Sequence, residues 1–145
     1  MTVILRADTL DQADPQIWAP LQTAFAEALG LEEDEVELHH RIIDDLGAES
    51  LDFLDIAFRL ERAFDIRIPR GGIETAAREE LGDEPWEHEG VLTDRAIRRL
   101  AEVMPEIPAD EFVSNLKSAD VPNLFRVATF YNLVVHLLAQ KAEQG

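Results

Sequence analysis

The 145-residue sequence contains no cysteine. That excludes a disulfide framework, thiolate catalysis and a cysteine-ligated metal. Positive charge is scarce as well: thirteen Lys and Arg stand against thirty Asp and Glu, a net charge of −17. Such a balance cannot assemble the basic face that nucleic acid requires. It favours partners with basic patches, approached by electrostatic steering. No apolar run is long enough to cross a bilayer, and the N-terminus has no basic segment followed by an apolar core. A cytoplasmic location is therefore expected. The hydrophobic share, 46%, is too high for a disordered acidic chain. The length suits one domain, 1–145, with a core of its own. Internal repeats and low-complexity tracts are absent.

The most informative stretch present is Asp44-Asp45-Leu46-Gly47-Ala48-Glu49-Ser50-Leu51-Asp52. It reads as a turn running into a helix, with Gly47 at the bend and Glu49-Ser50 where N-cap residues belong. From Leu51 to Phe64 there is no Pro, no Gly and no β-branched cluster, so the helix is uninterrupted. Ser50 thus falls beside the unsatisfied N–H groups and positive end of a helix, a good place to hold a phosphate. The same helix carries two apolar stripes. Phe53, Ile56, Ala57, Leu60 and Phe64 make an ordinary core face. Leu51, Leu54 and Phe58 lie on another, rimmed by Asp52, Asp55 and Glu61 together with Arg59 and Arg62. A second stripe is either buried too or a docking surface.

Residues Leu29-Gly30 through Pro69 resemble an acyl carrier protein, and Asp45-Leu46-Gly47-Ala48-Glu49-Ser50-Leu51 is similar to the phosphopantetheine-attachment motif of that family. The family usually reads Asp-Ser-Leu, where this chain has Glu49-Ser50-Leu51; the change keeps the charge and lengthens the side chain. Phe64-Asp65-Ile66-Arg67-Ile68-Pro69 is similar to the family's exit from its second helix. The resemblance implies an all-α fold, an acyl-carrier-protein-like four-helix bundle. It also implies that Ser50, flanked by Glu49 and Leu51, bears a covalent 4′-phosphopantetheine whose thiol holds an acyl group as a thioester. Helix Leu51–Phe64 would then be the recognition helix, with Leu51, Leu54 and Phe58 as apolar contacts and Asp52, Asp55 and Glu61 as charged ones. The implied partners are a phosphopantetheinyl transferase and acyl-transferring or ketosynthase-type enzymes with basic docking patches. A monomer and no enzymatic activity of its own are expected. Arg59, Arg62, Arg67 and Arg70 depart from the acidic character of primary fatty acid synthesis carriers and point to a dedicated fatty-acid, lipid or polyketide pathway. Two other readings stay open: an unmodified helical interaction module on a carrier scaffold, with Ser50 as a cap, and a carrier of aminoacyl or peptidyl groups.

Before the motif, residues 1–14 are read as an N-terminal arm that begins with the β-prone Thr2-Val3-Ile4-Leu5. Asp14-Pro15 suits a cap and first turn. Ile17, Leu21, Phe25 and Leu29, with Trp18, Ala24 and Ala28, form a helical stripe that Gly30 ends. Pro20 either kinks this helix or marks its start. In the loop 31–45, Leu31, Val36, Ile42 and Ile43 are expected to peg the chain to the core. His39-His40 with Asp44 and Asp45 invites a metal reading, but adjacent histidines on a loop point apart and no i, i+4 ligand pair is present, so no metal site is assigned.

After the recognition region, 15–70, a compact carrier would pass quickly to its last helices. Here 71–120 reads instead as an insert of about fifty residues, far longer than an ordinary connection. Helical patterns recur inside it: Ile73 to Leu81; a second helix capped by Thr93-Asp94, with Ile97, Leu100, Ala101 and Met104 on one face and Pro105 as the stop; and a third opened by Pro108-Ala109-Asp110-Glu111, burying Phe112, Val113 and Leu116. A mostly helical insert packing on the recognition and final helices is expected. Residues 121–145 complete the carrier, with Val121–Phe125 as the short third helix. The last helix is capped by Thr129 and buries Phe130, Leu133, Val134, Leu137 and Leu138, with Lys141 in its final turn and His136 among apolar neighbours. A serine hydrolase is disfavoured, because no Gly-x-Ser-x-Gly elbow surrounds Ser50. Arg70-Gly71-Gly72 falls far short of a phosphate-binding loop.

Overall fold

A computed structural model describes residues 13–68, Arg78 and 82–144. Helix α1 spans Pro15–Leu29. Its entry follows from Asp14, whose carboxylate accepts the Gln16 N–H at 2.9 Å, and from Pro15 in the first turn, where no N–H is needed. Pro20 does not mark the start. It sits inside the helix, which continues on both sides. Gly30, at φ 70°, ends α1 in the left-handed conformation that glycine adopts freely.

Helix α2 covers Ser50–Phe64 and helix α4 covers Val127–Gln144. The three long helices share one apolar core. Leu21 and Phe25 of α1, Ile56 and Leu60 of α2, and Tyr131 and Val134 of α4 are fully buried there, with Val36, Leu38 and Ile42 of the long loop. Leu31 and Ile43 of that loop are half-buried, while Leu38 is a deep peg that its sequence setting did not announce. Aromatic rings fill the middle: Phe130 lies 5.7 Å from Phe25 and 6.1 Å from Phe53, near-perpendicular to the former. Such pairs add about 0.5–1.5 kcal/mol beyond the area they bury. The Tyr131 hydroxyl accepts the Asp14 N–H at 2.7 Å and so ties the entry of α1 to the last helix. At the other end of the bundle, Lys141 donates to the Asp65 carbonyl at 2.8 Å and to its carboxylate at 2.9 Å. Asp65 is the left-handed C-cap of α2, so a cation meets the negative end of that helix.

The insert keeps one expected helix and departs from its expected form elsewhere. Its capped helix is present as α3, Asp94–Val103, with the Thr93 hydroxyl accepting the Ala96 N–H at 3.2 Å and Pro105 just beyond the end. The helix expected from Pro108 is instead one 3₁₀ turn, Ala109–Glu111. Val113 stays exposed, Phe112 is half-buried and Asn115 takes φ 63°, a conformation that stops a right-handed helix. Leu116 is buried, but in an extended segment whose carbonyl accepts the Leu92 N–H. A short antiparallel hairpin also appears, β1 Glu87–His88 with β2 Val91–Leu92. Glu89 and Gly90, both at positive φ, form its two-residue turn. Apart from Arg78, the expected helix Ile73–Leu81 lies outside the described residues, as do residues 1–12 of the N-terminal arm and Arg70-Gly71-Gly72; Arg78 places its guanidinium 5.5 Å from the centre of the Trp86 ring.

The insert's apolar residues were expected to pack on α2 and α4. They form a second core of their own instead: Trp86, Leu92, Ile97, Leu100, Met104 and Leu116 close around Val121 and Leu124. Helix α3 alternates charge and apolar residues so strongly that only one face is available for burial, and the chain just before α4 satisfies that face. Phe125 belongs to both cores and joins them. The short third helix is a 3₁₀ stretch, Ser118–Leu124, that includes Pro122. The cap of α4 is also shifted. The Thr129 hydroxyl sits inside the first turn and accepts the Arg126 N–H at 3.0 Å, so it caps from within.

Candidate functional site

The segment that delivers Ser50 is a tight loop held on both sides. The Arg41 carbonyl accepts the N–H groups of Asp45 (3.0 Å) and Leu46 (3.1 Å); Ile43 takes that of Gly47 and Ile42 that of Ala48, each at 3.1 Å. Gly47 lies at φ 74°, where L side chains are strained, and has open space around it. From the other side, Ile42 N–H donates to the Phe125 carbonyl at 3.1 Å, and the Val127 and Ala128 N–H groups donate to His40 and Leu38 at 3.0 and 2.9 Å. Ile42 and Ala48 are buried, so the loop is pinned through its apolar residues while Asp44, Asp45 and Glu49 face water.

Helix α2 then begins. The N-cap is Glu49, at φ −108° and ψ 170°, and Ser50 is the first residue inside the helix. The Asp52 carboxylate accepts the Glu49 N–H at 2.8 Å, half of a capping box made by the two acidic residues that bracket Ser50 and Leu51. The sequence had assigned the cap to Glu49 and Ser50 together; the structure gives that duty to Glu49 and Asp52. Attachment of a phosphodiester asks for a serine at an accessible chain position, next to backbone N–H groups aligned with a helix dipole. The exposed flanks Glu49 and Leu51, the open turn at Gly47 and the start of a fifteen-residue helix fit that requirement.

The two stripes of α2 separate as their spacing predicts. Ile56 and Leu60 are fully buried, with Phe53 and Phe64 packed against the core. Leu51, Leu54 and Phe58 are 79%, 52% and 53% exposed. Each of the acidic residues expected at the rim also has a partner within the chain. Asp52 caps the helix, Asp55 accepts from the Arg59 guanidinium at 3.1 Å, and the Glu61 carboxylate accepts the Ile68 N–H at 2.7 Å. Arg59 reaches further to Glu27 of α1, at 2.8 Å. Beyond the far end of α2, Asp65, Ile66 and Arg67 line a groove of about 460 Å³ with Leu137, Gln140 and Lys141. Fifteen residues of helix put this groove about 22 Å from Ser50.

His39 and His40 do not point apart as expected. Their ring centres are 4.6 Å apart, and both Nε2 atoms approach the Glu37 carboxylate, at 3.8 and 3.6 Å. Asp44 and Asp45 are engaged elsewhere, the first with the Arg41 guanidinium and the second with the Arg41 N–H. Glu37, His39 and His40 together have the makings of a metal site, but hydrogen bonding opposes it. His40 Nδ1 accepts the Glu37 N–H at 3.1 Å, which leaves the ring proton on Nε2 and neither nitrogen available as a ligand. His136 is exposed on α4. Among the described residues, no helix is long and apolar enough to cross a membrane.

Comparison with known proteins covers this same region. A family model described as a phosphopantetheine attachment site matches residues 19–74. The acyl carrier protein of Campylobacter lari is 40% identical over 53 residues, 37% of this chain and 69% of the relative. That of Borrelia garinii subsp. bavariensis is 35% identical over 68 residues, 47% of this chain and 82% of the relative. Acyl carrier protein AcpXL of Brucella melitensis biotype 1 is 48% identical over 45 residues, 31% of this chain and 48% of that protein. No solved structure matches. With the attachment region matched and most of the length of two acyl carrier proteins covered, the chain belongs to the acyl carrier protein family: its cofactor is 4′-phosphopantetheine, and it is a carrier and not an enzyme.

Proposed function

We propose that Ser50 is the residue that bears the phosphopantetheine, and that the chain, as a single carrier domain with an insert, presents acyl thioesters to the enzymes of a dedicated fatty-acid, lipid or polyketide pathway. The observation that carries this reading is the position of Ser50: first residue of α2, inside Glu49-Ser50-Leu51, with the capping duty taken by Glu49 and Asp52. Phosphopantetheine supplies a flexible arm and a thiol for the thioester. The residues of the chain hold the arm's base at a helix N-terminus, where the dipole offsets the negative phosphodiester. Tethering raises the effective concentration of the acyl group at each docked enzyme.

Leu51, Leu54 and Phe58 serve in this reading as the apolar contacts for phosphopantetheinyl transferase and for acyl-transferring or ketosynthase-type partners. Apolar side chains this exposed gain most by burial in a partner, at about 25 cal/mol per Å². Asp44, Asp45 and Glu49, exposed around the start of α2, offer the negative charge that a basic docking patch would meet first. Asp52, Asp55 and Glu61 contribute to the same field while holding the helix in shape. Incubation with coenzyme A and a broad-specificity phosphopantetheinyl transferase, read by intact mass and by mapping the modified peptide, tests the assignment to Ser50.

A further inference from the structure

Arg41 and Arg126 face each other across an isolated antiparallel bridge. Directly opposed residues in such a pair have Cβ atoms about 4.5–5.5 Å apart, and like charges there are destabilising. Arg126 has little access to water to relieve this, being only 7% exposed. One Nη donates to the Leu124 carbonyl at 2.6 Å, and the other donates to the Glu111 carboxylate. The second oxygen of that carboxylate lies 3.3 Å from the Arg41 guanidinium. A single insert carboxylate therefore stands between the two arginines. Arg41 is also the first residue of the loop that leads to Ser50. Its N–H donates to the Asp45 carboxylate at 2.8 Å, its guanidinium lies 3.5 Å from that of Asp44, and its carbonyl accepts from Asp45 and Leu46. A second insert carboxylate, Glu106, accepts from Thr129 at 2.9 Å and Asn132 at 3.0 Å in the first turns of α4.

We infer that Glu111 is a positioning residue for Ser50, acting through Arg41: the insert supplies the negative charge that lets the Arg41–Arg126 bridge form and so sets the loop 41–49 that presents the attachment site. The inference rests on the reading of Ser50 as the modified residue. Without that carboxylate, Arg126 is left as a buried, uncompensated charge opposite a second arginine, and the end of the loop nearest the bridge is the part free to move away. The insert then acts on the carrier through polar contacts at the loop that precedes α2, in addition to the apolar joint at Phe125.

The test is a mutant cycle on the full chain, using Glu111→Gln, Arg41→Met and the double variant. Two readouts are taken: kcat and KM for phosphopantetheinylation with coenzyme A and a broad-specificity transferase, and amide exchange of 42–49. We expect each single variant to lower kcat/KM roughly fivefold through KM, in the range of coupled neighbours. The double variant should be no worse than Glu111→Gln alone, since removing Arg41 removes the repulsion. Exchange should quicken in 42–49 while α1 and the middle of α4 are unchanged. Wild-type rates in Glu111→Gln, or a double variant with the product of the two losses, would overturn the inference. If Glu111→Gln does not fold, Arg41→Met decides alone, because it leaves the Arg126–Glu111 pair in place; unchanged exchange in 42–49 then refutes the coupling. Should the wild-type chain take no phosphopantetheine, the reading of Ser50 fails, and the exchange measurements still support or overturn the positioning role by the same criteria.

Discussion

The Glu49 N–H donates to the Asp52 carboxylate at 2.8 Å, so the start of α2 is closed by the two acidic residues that bracket Ser50 and Leu51. With Ser50 as the proposed site of modification, stability and modification should be separable at positions two apart. With the cap carried by Glu49 and Asp52, Ser50→Ala should change unfolding free energy by less than about 0.5 kcal/mol. Asp52→Ala should cost about 1 kcal/mol, the usual loss for a helix cap. Urea denaturation of the two variants checks this, and a larger loss for Ser50→Ala than for Asp52→Ala would return the cap to the serine.

The stripes of α2 make opposite predictions. Leu60→Ala, at a fully buried position, should cost 2–5 kcal/mol (about the range seen for core leucines) and lower the melting temperature accordingly. Leu54→Glu and Phe58→Glu, at half-exposed positions, should leave the helical fold intact and weaken partner binding by a few kcal/mol, the loss expected of an interface anchor. Rising salt should slow association more than it speeds release. Unfolding measurements and transfer kinetics separate these outcomes, and unchanged transfer by Leu54→Glu would remove the exposed row from the docking surface.

That division was legible in the sequence because a helix period assigns faces without reference to anything distant. Leu51, Leu54 and Phe58 could be set apart from Ile56 and Leu60 by spacing alone. The cap of α1 at Asp14 and of α3 at Thr93 were legible for the same local reason. What the sequence did not disclose depends on contacts far along the chain. The hairpin at Glu87–Leu92 has two-residue strands carrying Glu and His and a Glu-Gly turn, weaker than the usual turn signals, and it is held in part by Leu116. The third helix of the insert looked plausible by propensity, but Leu116 is recruited by the hairpin and Asn115 turns the chain out of the helical region. Arg41, Glu111 and Arg126 are unremarkable one by one; their meeting is tertiary.

The second core gives the insert its own energetic signature. Leu100 is fully buried between Trp86, Met104 and their neighbours, away from the three-helix core. Leu100→Ala should cost about 2–5 kcal/mol. Amide protection should fall first in α3 and the hairpin, with Ile56 and Leu60 affected less, because the two cores meet chiefly at Phe125. Hydrogen exchange measured by mass spectrometry reads this directly. Equal loss of protection across α2 would show that the two cores open as one unit.

The histidine pair should not bind a divalent metal. With His40 Nδ1 accepting the Glu37 N–H, a metal would have to break that bond to gain a ligand. Zinc or cobalt should leave the melting temperature unchanged, and His39→Ala should behave as wild type. A metal-dependent rise in melting temperature that His39→Ala abolishes would contradict this.

Attachment at Ser50 is tested most directly by intact mass before and after incubation with coenzyme A and a broad-specificity phosphopantetheinyl transferase. The wild-type chain should gain one phosphopantetheinyl group, located by peptide mapping at Ser50, and Ser50→Ala should gain none while remaining folded. A Ser50→Ala chain that is still modified, or a wild-type chain that never is, would contradict it.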